Sequence, residues 1–291
     1  MKVTLSALCA SKEAFVGALG GVYEKSPWVA ERAFASAPFE SVTGLAAAMV
    51  AVVGRASEEE VVALLRAHPD LAGKAALAGE LTAESTVEQQ RAGLGSLTEA
   101  ELARFEELNG RYRAAFGWPF ILAVRQASKR TVLAAFERRV AAGKAAELAE
   151  CVAQVHKIAW MRLLDVVEGN GAGFLTCHVL DTCRGCPARG MAVSLRRLGD
   201  HGAGLPEEYA FTTNADGRLE GGPALRGAAF VPGAYEWTFR VGEYFASAGV
   251  PVAAQPFLGD VPIRFGIDNP EEHYHVPLLC SPWTFSTYRG S

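Results

Sequence analysis

The sequence predicts a multidomain chain: an all-α helical bundle followed by an all-β sandwich. Three observations carry this. The length of 291 residues accommodates two domains of ordinary size, ~100–200 residues each. Composition changes near residue 168: only 4 of the 14 Pro and 12 of the 30 Gly precede it, whereas every Lys does. The apolar periodicity changes at the same place, from helical spacing to short alternating runs separated by turn residues.

Before the break, residues 11–24, 42–54, 57–67, 98–115, 128–142 and 145–167 are rich in Ala, Leu, Glu and Arg and poor in breakers, so each is expected to be helical. Ser57 stands three residues before Glu60, and Thr98 three before Glu101. At that spacing side chain and backbone cap a helix start reciprocally. Residues 168–173, Glu-Gly-Asn-Gly-Ala-Gly, read as a short flexible linker between domains over 1–167 and 174–291. After it, residues 174–180, 192–198, 228–231, 235–241, 261–267 and 274–279 are rich in Val, Phe, Tyr and Thr, and Gly, Pro and Asn-Ala-Asp-Gly punctuate them. These are expected strands, with one helix at 241–248. Such a stretch folds as a sandwich.

A formal net charge of −4 gives no electrostatic reason to bind nucleic acid or an anionic membrane. No apolar run reaches the ~18 residues a membrane span needs. The first ten residues run into Ser11-Lys12-Glu13 at helical spacing and read as structure rather than a signal peptide. A cytoplasmic chain is therefore expected, with its six Cys as thiols. Cys183-x-x-Cys186, near Cys177, His178 and Asp181, has zinc-like spacing, but no second pair stands at a usable distance. No metal is expected there. Cys9, Cys151 and Cys280 sit in apolar patterns and read as core thiols.

Three features of the helical half can carry chemistry. His68 follows the helix at 57–67, which Pro69 stops, so it either pairs with the last carbonyls or acts on a ligand. Ser85 and Glu88 have the spacing of another capping box and need a further partner to form a site. Arg162 falls on the apolar stripe of Leu148, Val152, Val155, Ala159 and Val166. A guanidinium directed at a core cannot shed its charge. It requires either a protein acid or a substrate carboxylate held bidentately.

Five segments then occur in order: His68-Pro69-Asp70-Leu71-Ala72-Gly73-Lys74; Ser85-x-x-Glu88-Gln89-x-x-Ala92-Gly93-Leu94; Phe105-x-x-Leu108-Asn109-x-x-Tyr112; Phe116-Gly117-Trp118-Pro119-Phe120-Ile121; and Arg162-Leu163. Across residues 7–167 they resemble the OHCU decarboxylase family, which converts 2-oxo-4-hydroxy-4-carboxy-5-ureidoimidazoline (OHCU) to (S)-allantoin. The resemblance implies an all-helical fold with no cofactor. It implies His68 as the acid–base residue and Glu88 on the hydroxyl or ureido group. Arg162 would anchor an anionic or carbonyl part, with Ser85 and Gln89 on ring and ureido atoms and the backbone of Phe120 and Ile121 as a pocket wall. Trp118 stands where the family pattern has Phe, and would enlarge that wall.

In the second half, alternation puts His178 on the face of Thr176 and Leu180, where a half-buried, hydrogen-bonded strand His is the ordinary outcome. His273 and His275 share a face opposite Tyr274. Thr213-Asn214-Ala215-Asp216-Gly217-Arg218 reads as a turn. Residues 286–291 would ordinarily be a frayed tail. Together, and through the Tyr288-Arg289-Gly290-Ser291 terminus, these segments resemble the 5-hydroxyisourate hydrolases, the transthyretin-like enzymes, over residues 173–291. The resemblance implies two four-stranded sheets and a homotetramer assembled through the β domain. It implies His178 and His275 sharing acid–base work, Arg218 on the ring or its carbonyl, and Tyr288, Arg289, Gly290 and Ser291 closing the site from a neighbouring subunit. His273 receives no role.

The two implied reactions are consecutive, since hydrolysis of 5-hydroxyisourate yields OHCU. A bifunctional urate-degradation enzyme is expected, with the later step encoded first. The alternative is a non-catalytic β scaffold that tetramerises the chain or carries an apolar ligand.

Overall fold

The computed structural model describes residues 2–72, 82, 85, 86, 88, 89, 94, 96–124, 128–198 and 208–290. The chain divides into two compact units, Met1–Glu168 and Gly169–Ser291.

The first unit is helical: α1 (Leu5–Leu8), α2 (Lys12–Leu19), α3 (Trp28–Ala33), α4 (Val42–Gly54), α5 (Glu58–Arg66), α6 (Glu99–Phe116), α7 (Lys129–Arg139) and α8 (Lys144–Val166). Residues 85, 86, 88 and 89 are helical too. Ser11, Ser41, Ser57, Thr98 and Ser128 each accept the backbone N–H three residues on, which satisfies a donor the helix start leaves open. Both expected capping boxes form. Gly117, at φ 84°, ends α6 in the left-handed region.

Two expectations need correction. The helix expected over 11–24 stops at Leu19, because Gly20 and Gly21 carry the poorest helix propensity short of Pro. The chain turns there and leads into α3, which the sequence reading missed. On α8 the buried stripe is Glu147, Cys151, Val155, Ile158, Ala159 and Arg162, while Leu148, Val152 and Val166 are only half-buried. The stripe is thus rotated from the expected one, and Arg162 lies on both.

The core of this unit interlocks Tyr112, Phe120 and Phe136, the last two stacked at 3.9 Å. A buried ion pair braces it. Arg139 Nη2 lies 2.6 Å from Glu147 Oε1, and the Tyr112 hydroxyl donates to the same carboxylate. Arg139 also donates to the Ile121 carbonyl at 2.9 Å and sits over the Phe120 ring at 4.5 Å. Residues 120–121 are thereby held from behind.

The second unit contains β1 (Phe174–Thr176), β2 (Val179–Asp181), β3 (Cys186–Pro187), β4 (Ala192–Leu198), β5 (Glu208–Thr212), β6 (Leu225–Arg226), β7 (Gly233–Arg240), α9 (Val241–Ser247), β8 (Asp260–Ile267), β9 (His273–His275), β10 (Leu278–Cys280) and β11 (Phe285–Thr287). One sheet has the order β5-β4-β7-β8, antiparallel throughout. The other is formed by β6-β1-β9 and β11-β10-β2-β3, with β1 parallel to β9 and β2 parallel to β10. Its ladder continues across the breaks, because Val276 N–H donates to Thr176 O and Leu278 N–H to His178 O, at 3.1 and 2.8 Å. The inner faces share one core, in which Leu175, Val179 and Leu278 meet Leu195, Trp237 and Phe239.

The strand expected at 174–180 is broken at Cys177-His178, and the one at 274–279 at Val276-Pro277, where proline has no N–H to donate. Residues 227–229 form a 3₁₀ turn in place of the strand expected at 228–231. The sequence reading missed β5, an edge strand whose side chains alternate between half-buried and exposed. Cys151 and Cys280 are buried, but Cys9 is only half-buried. Among the described residues, Asp181 accepts no hydrogen bond from a thiol. It accepts the Cys183 and Arg184 N–H groups, the Arg184 guanidinium and the Tyr244 hydroxyl. Among the described residues, no helix is long and apolar enough to cross a membrane.

Candidate active sites

A pocket of ≈ 350 Å³ in the helical unit is lined by His68, Ser85, Glu88, Gln89, Phe120, Ile121 and Arg162, with Pro69, Leu71, Leu122, Val124 and Ile158. The end of α5, the helical residues 85, 86, 88 and 89, the braced segment after α6, and α8 therefore converge on it. Each of the seven candidate residues of this unit is buried. Trp118 does not line the pocket; it is buried against Phe116, 5.9 Å between ring centres.

His68 pairs with a helix-end carbonyl and also faces the pocket. Its Nδ1 lies 3.0 Å from the Leu64 carbonyl, at the helix end, while the residue also lines the pocket. A carbonyl only accepts, so Nδ1 carries the hydrogen and Nε2 is left for a ligand. Burial pushes the imidazole below its ordinary value of 6.5, against the opposing effects of the Leu64 hydrogen bond and the Glu24 charge.

Arg162 meets protein acids. Its Nε and Nη2 donate to Glu88 Oε1 and Oε2, both at 3.0 Å, so the bidentate edge suited to a substrate carboxylate is taken by Glu88. Nη1 donates to Glu24 Oε2 at 2.9 Å and to the Gly21 carbonyl at 3.4 Å, and Nη2 also donates to Ser85 Oγ at 3.3 Å. Burial works against its charge, but Glu88 and Glu24 outweigh it and raise Arg162 further. The capping box suggested by Ser85 and Glu88 gives way to this network: the Ser85 hydroxyl donates to Glu24 Oε2 at 3.1 Å. Gln89 ties down the segment after His68, accepting the Ala72 N–H at 3.0 Å and donating to the Asp70 carbonyl at 3.3 Å.

Glu24 was missed. It follows the buried pair Val22 and Tyr23, and its only local signal is an acid beside apolar residues just before Ser26-Pro27. Burial opposes its ionisation, yet the charge and hydrogen bond of Arg162, helped by Thr82, hold its carboxyl below the usual range.

In the β unit the breaks in β1–β2 and β9–β10 place the candidate histidines. His178 pairs backbone to backbone with Arg218. The Asn214–Arg218 turn sets this up: Asn214 Oδ1 accepts the Asp216 and Arg218 N–H groups, and the Gly217 carbonyl accepts the Val179 N–H. Gly217 sits at φ +73°, and a Cβ there would lie 2.3 Å from the Val179 carbonyl oxygen, so only glycine fits. His178 Nε2 is buried and has no hydrogen-bond partner among the described residues.

Thr176 Oγ1 lies 2.9 Å from His275 Nδ1 and 2.7 Å from His273 Nε2. This link between the two rings was not anticipated, since alternation groups Thr176 with His178 and, separately, His273 with His275. Burial lowers His275 below 6.5, and the nearby Arg218, His273 and His178 add to this. Gly290 donates its N–H to the His275 carbonyl at 2.8 Å, so the terminus lies beside that histidine. Arg289 lies over Tyr274 at 4.3 Å and pairs with Glu272, and Tyr288 is exposed. Ser291 lies outside the described residues, as do Gly73, Lys74, Ala92 and Gly93 of the helical motifs.

A helical unit with a carboxylate–guanidinium–imidazole pocket, joined to a β-sandwich with a histidine–arginine cluster, defines a two-site enzyme architecture. Family models match on both sides, OHCU decarboxylase over residues 9–164 and the HIUase/Transthyretin family over 175–290. A crystal structure of (S)-allantoin synthase is 50% identical, with a TM-score of 0.82 over 99% of this chain and 100% of that one. The 5-hydroxyisourate hydrolase 2 of Rhizobium meliloti is 50% identical over 120 residues, 41% of this chain and 98% of the relative. The 2-oxo-4-hydroxy-4-carboxy-5-ureidoimidazoline decarboxylase of Halalkalicoccus jeotgali is 44% identical over 154 residues, 53% of this chain and 85% of the relative. The chain belongs to the OHCU decarboxylase family through its helical unit and to the HIUase/transthyretin family through its β unit.

Proposed function

We propose that this chain catalyses two consecutive steps of urate degradation: the β unit hydrolyses 5-hydroxyisourate to OHCU, and the helical unit decarboxylates OHCU to (S)-allantoin. The observation that carries the reading is the presence of two separate, chemically distinct constellations, each assembled by the fold from residues far apart in sequence.

In the β unit a water must lose a proton as it attacks a ring carbonyl. His275 is neutral near pH 7 because burial lowers it, which suits it to take that proton. Arg218 stabilises the oxygen on which charge builds, and Nε2 of His178, unpartnered among the described residues, is free to hydrogen-bond water or substrate. Tyr288, Arg289, Gly290 and Ser291 close this site. In the helical unit, departure of CO2 leaves an electron pair that the imidazoline ring delocalises, and a proton must then arrive on one face. His68 Nε2 moves that proton, and Glu88 positions or deprotonates the hydroxyl. The backbone at Phe120 and Ile121, held by Arg139, shapes the wall.

We further infer residence in the cytoplasm and a homotetramer through the β unit. Exposed Trp283, Phe285 and Tyr288 around the edge strand β11 support the assembly; light scattering on the purified chain tests it. The activity test adds uricase and urate. Accelerated loss of the 5-hydroxyisourate absorbance and growth of a circular-dichroism signal from chiral allantoin are expected. Decay at the blank rate refutes the hydrolase, and a racemic product refutes the decarboxylase.

A further inference from the structure

Glu24 is a buried acid that neither reaction above uses. Its side chain is 1% exposed. Oε1 accepts the Thr82 hydroxyl at 3.0 Å, and Oε2 accepts the Ser85 hydroxyl at 3.1 Å and Arg162 Nη1 at 2.9 Å. It does not line the pocket. Resting on the decarboxylase reading of that pocket, we propose that Glu24 is a positioning residue for decarboxylation: it holds Arg162 and Ser85 from behind the wall and sets the charge against which His68 works.

The hydrogen bookkeeping supports this. A guanidinium has five N–H donors. Those of Arg162 have five protein acceptors: the two Glu88 oxygens, Glu24, the Gly21 carbonyl and Ser85 Oγ. Arg162 therefore acts on a ligand through the groups it orients. The single hydrogen of Ser85 is committed to Glu24, so Ser85 presents only a lone pair to the pocket. With the Glu88 carboxylate beside it, this wall is rich in acceptors. It suits the N–H groups of a ureido substituent, and it repels a carboxylate.

Charge points the same way. Two carboxylates, Glu24 and Glu88, share one cation. Among the described residues, the charged groups facing His68 are Glu24 from the α2–α3 connection, Glu88 from the helical residues after Thr82, and Arg162 from α8. Asp70, two residues along from His68, is paired with Arg113. Counted over these three described groups, the charge is one short of neutral on the positive side, and Glu24 favours a proton on His68 against the effect of burial.

The test supplies fresh OHCU from urate with uricase and a separate hydrolase in excess, and follows (S)-allantoin by circular dichroism. In Glu24→Gln, kcat is expected to fall on the order of 10²-fold, the scale of a small misplacement in a catalytic site, with KM changed less. The limb of the pH–rate profile governed by His68 moves to lower pH, because the charge that favoured the imidazolium is gone; a packing role would leave it in place. A Glu24→Gln variant as fast as wild type, or with an unmoved limb, overturns the proposal. Glu24→Asp keeps the charge and is expected to lose kcat without moving the limb. If the Gln variant loses its helical signal, the Asp variant decides alone: a displaced limb or an undiminished kcat overturns the proposal. An inactive wild-type chain refutes the decarboxylase reading itself, so the two failures are told apart.

Discussion

Arg162→Met removes the cation that Glu24 and Glu88 share while keeping much of the side-chain volume. Arg162 is 4% exposed, Glu24 2% and Glu88 8%, so water cannot solvate the two acids left behind. Removing one partner of a buried ion pair costs about 3–5 kcal/mol. In a unit of this size ~1 kcal/mol corresponds to about 2–4 °C, so the helical unit is expected to melt about 6–20 °C lower at neutral pH. The pH dependence follows from the signs. In the wild type Glu24 titrates below its ordinary 4.5; its stabilisation is complete above that range and is lost as pH falls through the lowered value. In the variant the unpaired buried carboxylates titrate above the ordinary range, so the folded state takes up protons first and the penalty fades as pH falls. The gap between the two proteins therefore narrows from neutral pH toward about pH 4. Melts followed by far-ultraviolet circular dichroism measure this. A midpoint within about 2 °C of wild type at neutral pH, or a gap independent of pH, would refute the reasoning.

Three further outcomes are expected. His68→Ala loses decarboxylation and keeps hydrolysis, and His275→Ala does the reverse; coupled ultraviolet and circular-dichroism traces show which step each variant retains. Thr176→Val lowers the hydrolase rate by about two- to tenfold, matching the ~0.5–1.5 kcal/mol of one hydrogen bond, whereas Thr176→Ser restores it. Equal rates for the two variants would remove the hydroxyl link between His273 and His275 from the mechanism. Because burial lowers His275, hydrolysis is expected to be level at neutral pH and to fall only on the acid side of 6.5, as the ring protonates. The same protonation destabilises the fold as pH drops, since the unfolded ring binds its proton first. A rate that already falls between pH 8 and 7 would contradict this assignment.

Much of the architecture was legible in the chain. Ser57 with Glu60 and Thr98 with Glu101 mark two helix starts through purely local bonds. The strand at 192–198 shows because it lies mid-sheet and is rich in apolar residues. Local signals failed where neighbours in space decided the outcome. Residues 208–212 are a strand because β4 offers a partner, and residues 228–231 are not one, having none. Arg162 was recognisable as a charge in a core-facing position that needs an anion. Which anion depended on Glu24, 138 residues away, and on Ser85 and Glu88, whose spacing equally fits a helix cap.

The sequence by itself determined the two-part division and most helix starts, because composition, propensity and capping act over a few residues. Only the tertiary structure decided that Glu24 joins Arg162, that a Thr176 hydroxyl bridges two imidazoles, and that Gly290 rests on His275. Each of these depends on which atoms lie within hydrogen-bond reach after the chain has folded, and spacing along the chain carries no record of that distance.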